Sequence, residues 1–454
     1  MADSELIKEV TQTELPSTEW SSSLHARLAI TLRALRHRNF QLFFSGQLIS
    51  LIGTWMQTVA EAWLVYRLTH SALLLGAVGF ASQFPVFIAA PIGGIVADRV
   101  NRHKIVITTQ ILSMIFDSAL AVLTLLNVVT VRQIFVLAIL MGIVSAFDIP
   151  ARQSFLVDMV GKEDLMNAIA LNSSMFNGAR IIGPAIAGIL VAKVGEGWCF
   201  AINGVSYLAV IAGLLMMQVR KPGALAASAS PLAHIVEGFN FARRTGPIRA
   251  ILLLLALVSL VAMPYTVLMP VFADKILHGG ARGLGILMGA TGVGALLGAL
   301  TLASRSGVKG LGRLVGIACL GFGISLALFS FSRHFWLSAA LLVPVGFCMM
   351  LQMSSSNTLL QTMSPDYLRG RVMALYTMMF MGMAPFGALF GGTLAEHLGA
   401  PITVAMGATA SVAGATWFWF HLPNIRVEAR RLIVAQGIAG GEPPQEMTAR
   451  IGED

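Results

Sequence analysis

Twelve apolar runs of about twenty residues follow one another along this chain, and at about 1.5 Å per residue each is long enough as a helix to cross a hydrocarbon core. We place the first six near residues 40–67, 72–97, 105–127, 132–152, 167–192 and 198–218. The second six fall near 248–274, 284–304, 311–332, 336–358, 371–395 and 401–421. In lipid the backbone must satisfy its own hydrogen bonds, so these runs read as helices and the chain as an all-α polytopic membrane protein. Composition agrees, since 454 residues with 56% hydrophobic and only 12% charged side chains do not make one water-soluble core.

An even number of spans puts both termini on one side. Most of the 31 Lys and Arg residues fall in the termini and alternate connectors, which are therefore expected to be cytoplasmic, in a cell inner membrane. The net charge of +9 reflects that topology and not nucleic-acid binding, because the basic residues never gather into one stripe. Membrane lipids are the expected surroundings. Cys199, Cys319 and Cys348 are far apart in apolar segments, and the nine histidines show no metal-ligand spacing. No nucleophile with a base and no phosphate loop is visible, so we expect no metal, no cofactor and no enzymatic activity. Met1–Trp20 is polar and acidic, without the apolar core of a signal peptide.

The chain divides into a cytoplasmic segment at 1–39 containing an interfacial amphipathic stretch from Leu24 to Arg38, a first bundle at 40–219, a linker at 220–247, a second bundle at 248–422 and a polar tail at 423–454. The linker runs from an Ala/Ser-rich stretch into a short amphipathic pattern ending at Arg244. One fixed offset sets Gly142 on Gly346, Ala170–Leu171 on Ala374–Leu375, Phe176 on Phe380, Gly178 on Gly382 and Gly188 on Gly392. The two six-helix halves are thus homologous. Glycines crowd spans two, five, eight and eleven, where they suit close helix approach in lipid.

Between the second and third spans lies Gly94-Ile-Val-Ala-Asp98-Arg99-Val-Asn101-Arg102-His103-Lys104. This connector resembles the signature of the major facilitator superfamily. Asn101 stands where a glycine is usual and tolerates the left-handed backbone such a glycine suggests, and His103 replaces a basic residue. The block from Asp148 through Arg152, Asp158 and Asn177 to Arg180, Gly183 and Pro184, with Leu368-Arg-Gly-Arg371-Val-Met-Ala-Leu-Tyr376 late in the chain, is similar to the exporter branch that includes the enterobactin exporter and macrolide efflux pumps. The resemblance implies twelve transmembrane helices in two homologous six-helix bundles, a substrate site between them near mid-membrane, and a monomer. It implies a secondary exporter of a small amphipathic molecule such as a drug, macrolide or siderophore, driven by protons and working by alternating access. A lipid or lysolipid flippase is the alternative within transport; a non-transport scaffold or receptor is the alternative outside it.

In the first span Gln47, Ser50, Thr54, Gln57 and Glu61 share one helical face, which should look into the bundle or a watery cavity. Glu61 is either a proton-coupling site or a solvated group near the outer mouth. Asp117 and Arg180 lie at comparable depth in the third and fifth spans. Either they form a structural ion pair, or Asp117 carries a proton while Arg180 holds an anionic substrate. Gln57, Gln83, Asn177, Tyr265, Gln352 and Tyr376 are further candidates for the cavity wall. Asp98, Arg99, Arg102, Asp148, Arg152 and Asp158 could make a gating network at the cytoplasmic ends, broken and remade as the halves rock. Gly94, Gly183, Pro184 and Gly188 are expected at helix-packing positions.

Overall fold

Side chains that are apolar on nearly every face leave a membrane segment only its own carbonyls to pair with, and the chain forms helices throughout its described length. The computed structural model describes residues 32–161, 163–218, 231–305, 307–308 and 310–435. The first bundle comprises α1 (Arg38–Thr69), α2 (Ala72–Arg99), α3 (Arg102–Leu125), α4 (Val131–Val160), α5 (Leu165–Val194) and α6 (Glu196–Leu215). The second comprises α7 (Gly246–Ile276), α8 (Gly280–Ala303), α9 (Leu311–Phe331), α10 (Phe335–Met363), α11 (Tyr367–Leu398) and α12 (Ala400–Ala435). The first eleven are long and apolar enough to cross a membrane; α12 packs along α9 and completes the set.

Local chemistry sets the helix ends. The Ser71 and Asn101 side chains accept from the backbone N–H of Leu74 and Lys104, and Thr130 with Gln133 builds a capping box before α4. Asn101 is extended, with φ −60°, so its place in the connector follows from capping α3 and not from the left-handed backbone expected of it. Gly161, Gly195 and Gly399, at φ 74°, 89° and 85°, stop α4, α5 and α11.

The seventh span departs from a regular helix. Its α-helical start, Gly246–Leu257, passes into a π turn at Val258–Ala262, a 3₁₀ turn at Met263–Thr266 and a second π turn at Phe272–Ile276. Pro264 and Pro270 explain the break, since each removes a ladder donor and crowds the preceding turn. Within the first bundle α1 packs on α5 and α6, α3 on α6, and α2 on α4; within the second, α10 packs on α8 and α9, and α9 on α12. The bundles meet along two pairs, α5 with α8 and α2 with α11.

Charged residues tie elements together on the face that carries the α2–α3 connector, called the basic face below. The Arg33 guanidinium and the His37 ring both pair with Asp164, at 2.8 and 2.7 Å, and Asn167 accepts from the Ala34 N–H at 2.8 Å. These bonds fold the 3₁₀ turn Arg33–Arg36 onto the start of α5. Residues 24–31 of the expected interfacial stretch lie outside the described residues, as do residue 219 at the end of the first bundle, 220–230 of the linker and 436–454 of the tail. After the linker, Pro231–Arg244 forms a surface helix, and its Glu237 pairs with Arg371 at the start of α11.

The polar tail was expected to begin at 423, but α12 runs through Pro423 to Ala435. Ile425, Ala429, Leu432 and Ile433 give that stretch an apolar stripe against the core, and Glu428 accepts from the Gly246 N–H at 3.1 Å. This first part of the tail is helical because it has a surface to pack on.

Candidate functional site: a cavity between the bundles

The polar face of α1 divides by depth. Gln47 and Ser50 are buried against neighbouring helices, whereas Thr54, Gln57 and Glu61 line a cavity of about 520 Å³ between the bundles. That volume is in the range of small-molecule sites. Gln83 reaches the cavity from α2, Asp117 from α3, Arg180 from α5 and Tyr265 from the broken stretch of α7. Three expected wall residues lie elsewhere. Gln352 is 1% exposed inside the second bundle, Asn177 donates to the Ser173 carbonyl one turn back, and the Tyr376 hydroxyl donates to the Met353 carbonyl. Gln352 and Tyr376 sit on faces that meet neighbouring helices, while Asn177, half-buried, turns back onto its own helix.

Asp117 sits in a cage of amides. It accepts from Gln57 Nε2 at 2.6 Å and from Asn203 Nδ2 at 2.9 Å, and Asn203 Nδ2 also reaches Gln57 Oε1 at 2.6 Å. The Ser206 hydroxyl donates to Asn203 Oδ1 at 3.1 Å, closing the cluster across α1, α3 and α6. Asn203 was missed by the sequence reading. Its signal was available, as an amide inside an otherwise apolar span. The Asp117–Arg180 ion pair considered above is not formed: among the described residues Arg180 has no ion pair, and its guanidinium lies over the Trp55 ring, 5.7 Å from the centroid. Asp117→Ala leaves two buried amides short of an acceptor and should cost about 1–3 kcal/mol. We expect a clear fall in thermal midpoint in nanodiscs and a smaller fall for Asp117→Asn; equal midpoints for both variants and the parent would show the cage to be energetically idle.

Glu61, one turn beyond Gln57, makes no hydrogen bond or ion pair among the described residues while facing the same cavity as Asp117. It is the carboxylate of this site whose charge no protein group offsets.

The cavity is shut toward the face opposite the basic one. A Cβ at Gly188 of α5 would meet the backbone of Gly285 on α8, and one at Gly76 of α2 would meet Ala388 and Gly392 on α11. Phe80, Phe84 and Phe87 of α2 gather around Phe386 of α11 with ring centroids 5.8–6.0 Å away. At the rim Glu396 of α11 accepts from the Ser71 hydroxyl at 3.0 Å and the Leu73 N–H at 3.1 Å, so a carboxylate from one bundle caps a helix of the other. Toward the basic face the same helices part, and a Cβ at Gly94, Gly178 or Gly370 would meet nothing within 4 Å. Gly94 is therefore no packing residue in this conformation; Gly93 makes the close approach, against Ala146 and Phe147 of α4. Gly183 presses on α1 at Trp55, and the Pro184 carbonyl faces Gly285.

The expected gating charges tie the first bundle to itself. Arg102 reaches the Ala97 and Ser154 carbonyls and pairs with Asp158 at 3.3 Å. Asp148 pairs with Arg152 at 3.4 Å and accepts from Thr109 and Gln110. Arg99 is exposed, and the Asp98 side chain lies outside the described residues. Asp148 corresponds to Gln352 in the internal repeat and Arg152 to Ser356, so the second bundle lacks the matching charges.

Two matched six-helix bundles around a largely apolar central cavity that carries a few charged and polar groups, joined on one side and parted on the other, define a carrier of the facilitator type. The chain belongs to the transmembrane secretion effector family of the major facilitator superfamily, whose profile matches residues 29–436. It is 27% identical over 381 residues to the staphyloferrin A transporter of Staphylococcus aureus, covering 83% of this chain and 95% of that one. It is 29% identical over 361 residues to the multidrug efflux pump Tap of Mycolicibacterium fortuitum, covering 76% and 87%. Against the enterobactin exporter EntS of Escherichia coli the identity is 27% over 414 residues, covering 91% and 96%. A crystal structure of a POT family transporter in complex with a thioalcohol-conjugated peptide superposes with a TM-score of 0.70 at 12% identity, covering 86% of this chain and 96% of that one. At that identity the likeness speaks for the fold alone.

Proposed function

We propose that the protein is a proton-coupled exporter, moving a small amphipathic molecule out of the cell by alternating access. In this reading it lies in the inner membrane as a monomer, with the basic face and both termini in the cytoplasm, and the conformation described is inward-facing. The observation that carries the proposal is a closed outer seam above a cavity that holds an unpaired carboxylate, Glu61. Such a site can take up a proton from one side and release it to the other as the bundles rock. The names of the similar proteins, a siderophore transporter, a drug efflux pump and a siderophore exporter, support small-molecule export. Arg67 and Glu196, paired at 2.8 Å on the outer side of the first bundle, keep their partners within that half, so the rocking units stay intact.

Efflux from proteoliposomes under an imposed proton gradient tests this, with dyes, macrolides and catecholate siderophores as probes. Gradient-dependent flux of at least one probe is expected, and flux indifferent to the gradient would remove the coupling. The inner charges receive a separate test. Asp98→Asn should insert normally yet slow efflux about tenfold, the equivalent of 1.4 kcal/mol in the closing step. Undiminished efflux would deny Asp98 a part in closing the inner side.

A further inference from the structure

We infer that Arg180, Trp55 and Tyr265 form an acid-reading subsite, so that the transported molecule carries a carboxylate or similar oxyanion on a flat apolar body; this rests on the export reading above.

The Arg180 guanidinium carbon lies over the Trp55 ring, 5.7 Å from its centroid, a cation–π contact that uses the charge and none of the N–H donors. Those donors form a planar fork that matches two carboxylate oxygens. Among the described residues no acceptor takes them. Asp117, the nearest candidate by depth, is engaged by Gln57 and Asn203, and Glu61 pairs with nothing. A cation facing a cavity at membrane depth, with no counter-charge from the protein, calls for one from the cargo.

A second donor comes from the other bundle. Tyr265 of α7 is 1% exposed, lines the same cavity beside Thr291, and its hydroxyl makes no hydrogen bond of normal geometry. The neighbouring Thr291 hydroxyl donates to the Leu287 carbonyl at 3.2 Å and is not in hydrogen-bonding geometry with the phenol. An unpaired buried phenol is costly, and an acid held by Arg180 within its reach would satisfy it. The platform is rigid: Phe176 meets Trp55 edge-on with centroids 5.5 Å apart, and Gly183 brings α5 against the Trp55 backbone side. Phe116, Leu137, Met263 and Met288 supply the apolar wall beyond it. Because Arg180 and Tyr265 belong to different bundles, an acid between them joins two bodies that must move relative to each other.

The test uses a matched pair, pyrenebutyric acid and its primary amide, binding to the purified full-length protein in nanodiscs, read by energy transfer from tryptophan. The acid should bind about ten- to a hundredfold more tightly than the amide, as charge-assisted hydrogen bonds require. Arg180→Gln should erase the preference, Arg180→Lys should keep part of it, and Tyr265→Phe should weaken the acid about threefold to tenfold while leaving the amide unchanged. Monodisperse elution and an unchanged thermal midpoint establish that each variant is folded. Equal binding of acid and amide, no saturable binding of either, or a preference that survives Arg180→Gln would overturn the subsite. The reading of coupled export fails differently: an acid preference with no gradient-driven flux would leave the subsite standing and remove the proton coupling.

Discussion

Glu61→Gln should abolish gradient-driven efflux and spare substrate exchange. The change keeps size and hydrogen-bonding capacity but removes the charge of a side chain that has no protein partner, so the bundles lose little stability. What they lose is the step in which a proton is exchanged for cargo. Net efflux under an imposed gradient should fall by at least about tenfold, a coupling of roughly 1.4 kcal/mol. Labelled-for-unlabelled exchange of the same probe without a gradient should remain within about twofold of the parent, since it needs rocking and binding only. Loss of both activities would make Glu61 part of the substrate site, and retention of both would move the coupling elsewhere, with Asp117 the next residue to examine.

Gly188→Leu should trap the opposite conformation. The α5–α8 contact is backbone against backbone, and a leucine there forces the helices apart at a cost of about 1–3 kcal/mol. Applied to one state of a two-state equilibrium, that cost shifts the populations about fivefold to a hundredfold toward the arrangement open on the face now shut. Labelling reports it directly. With the native cysteines replaced, a cysteine at Thr54 on the cavity wall should become reactive to a membrane-impermeant maleimide added from that face, and efflux should fall in parallel. Unchanged labelling would mean that the seam yields locally and does not set the conformation.

The fold was largely open to sequence reading because lipid narrows the options: a long apolar run has one way to satisfy its backbone, and the repeat announced two halves. The cavity was legible where a polar side chain interrupts such a run, as with Gln57, Glu61, Asp117 and Arg180. Partners were harder. Periodicity gives the face a residue occupies but not what stands opposite, so depth offered Arg180 as one of two readings of Asp117 while the structure gives it Gln57 and Asn203 as partners. Gln352 and Tyr376 meet the same limit, since their faces turn to helices of their own bundle. Glu396 has no distinguishing sequence pattern, and only the meeting of α2 with α11 reveals what it caps.

The glycine seam has a bearing on how such a chain can change over time. Its contacts involve backbone atoms, so almost any new side chain at Gly76, Gly188, Gly285 or Gly392 damages the moving parts. Much of the cavity wall carries no such constraint: apart from Glu61 and the Asp117 cage, residues such as Thr54, Thr58, Ser82 and Met288 face open space and can be exchanged one at a time. Cargo and machinery are written in different positions, and a lineage can rewrite the first without touching the second.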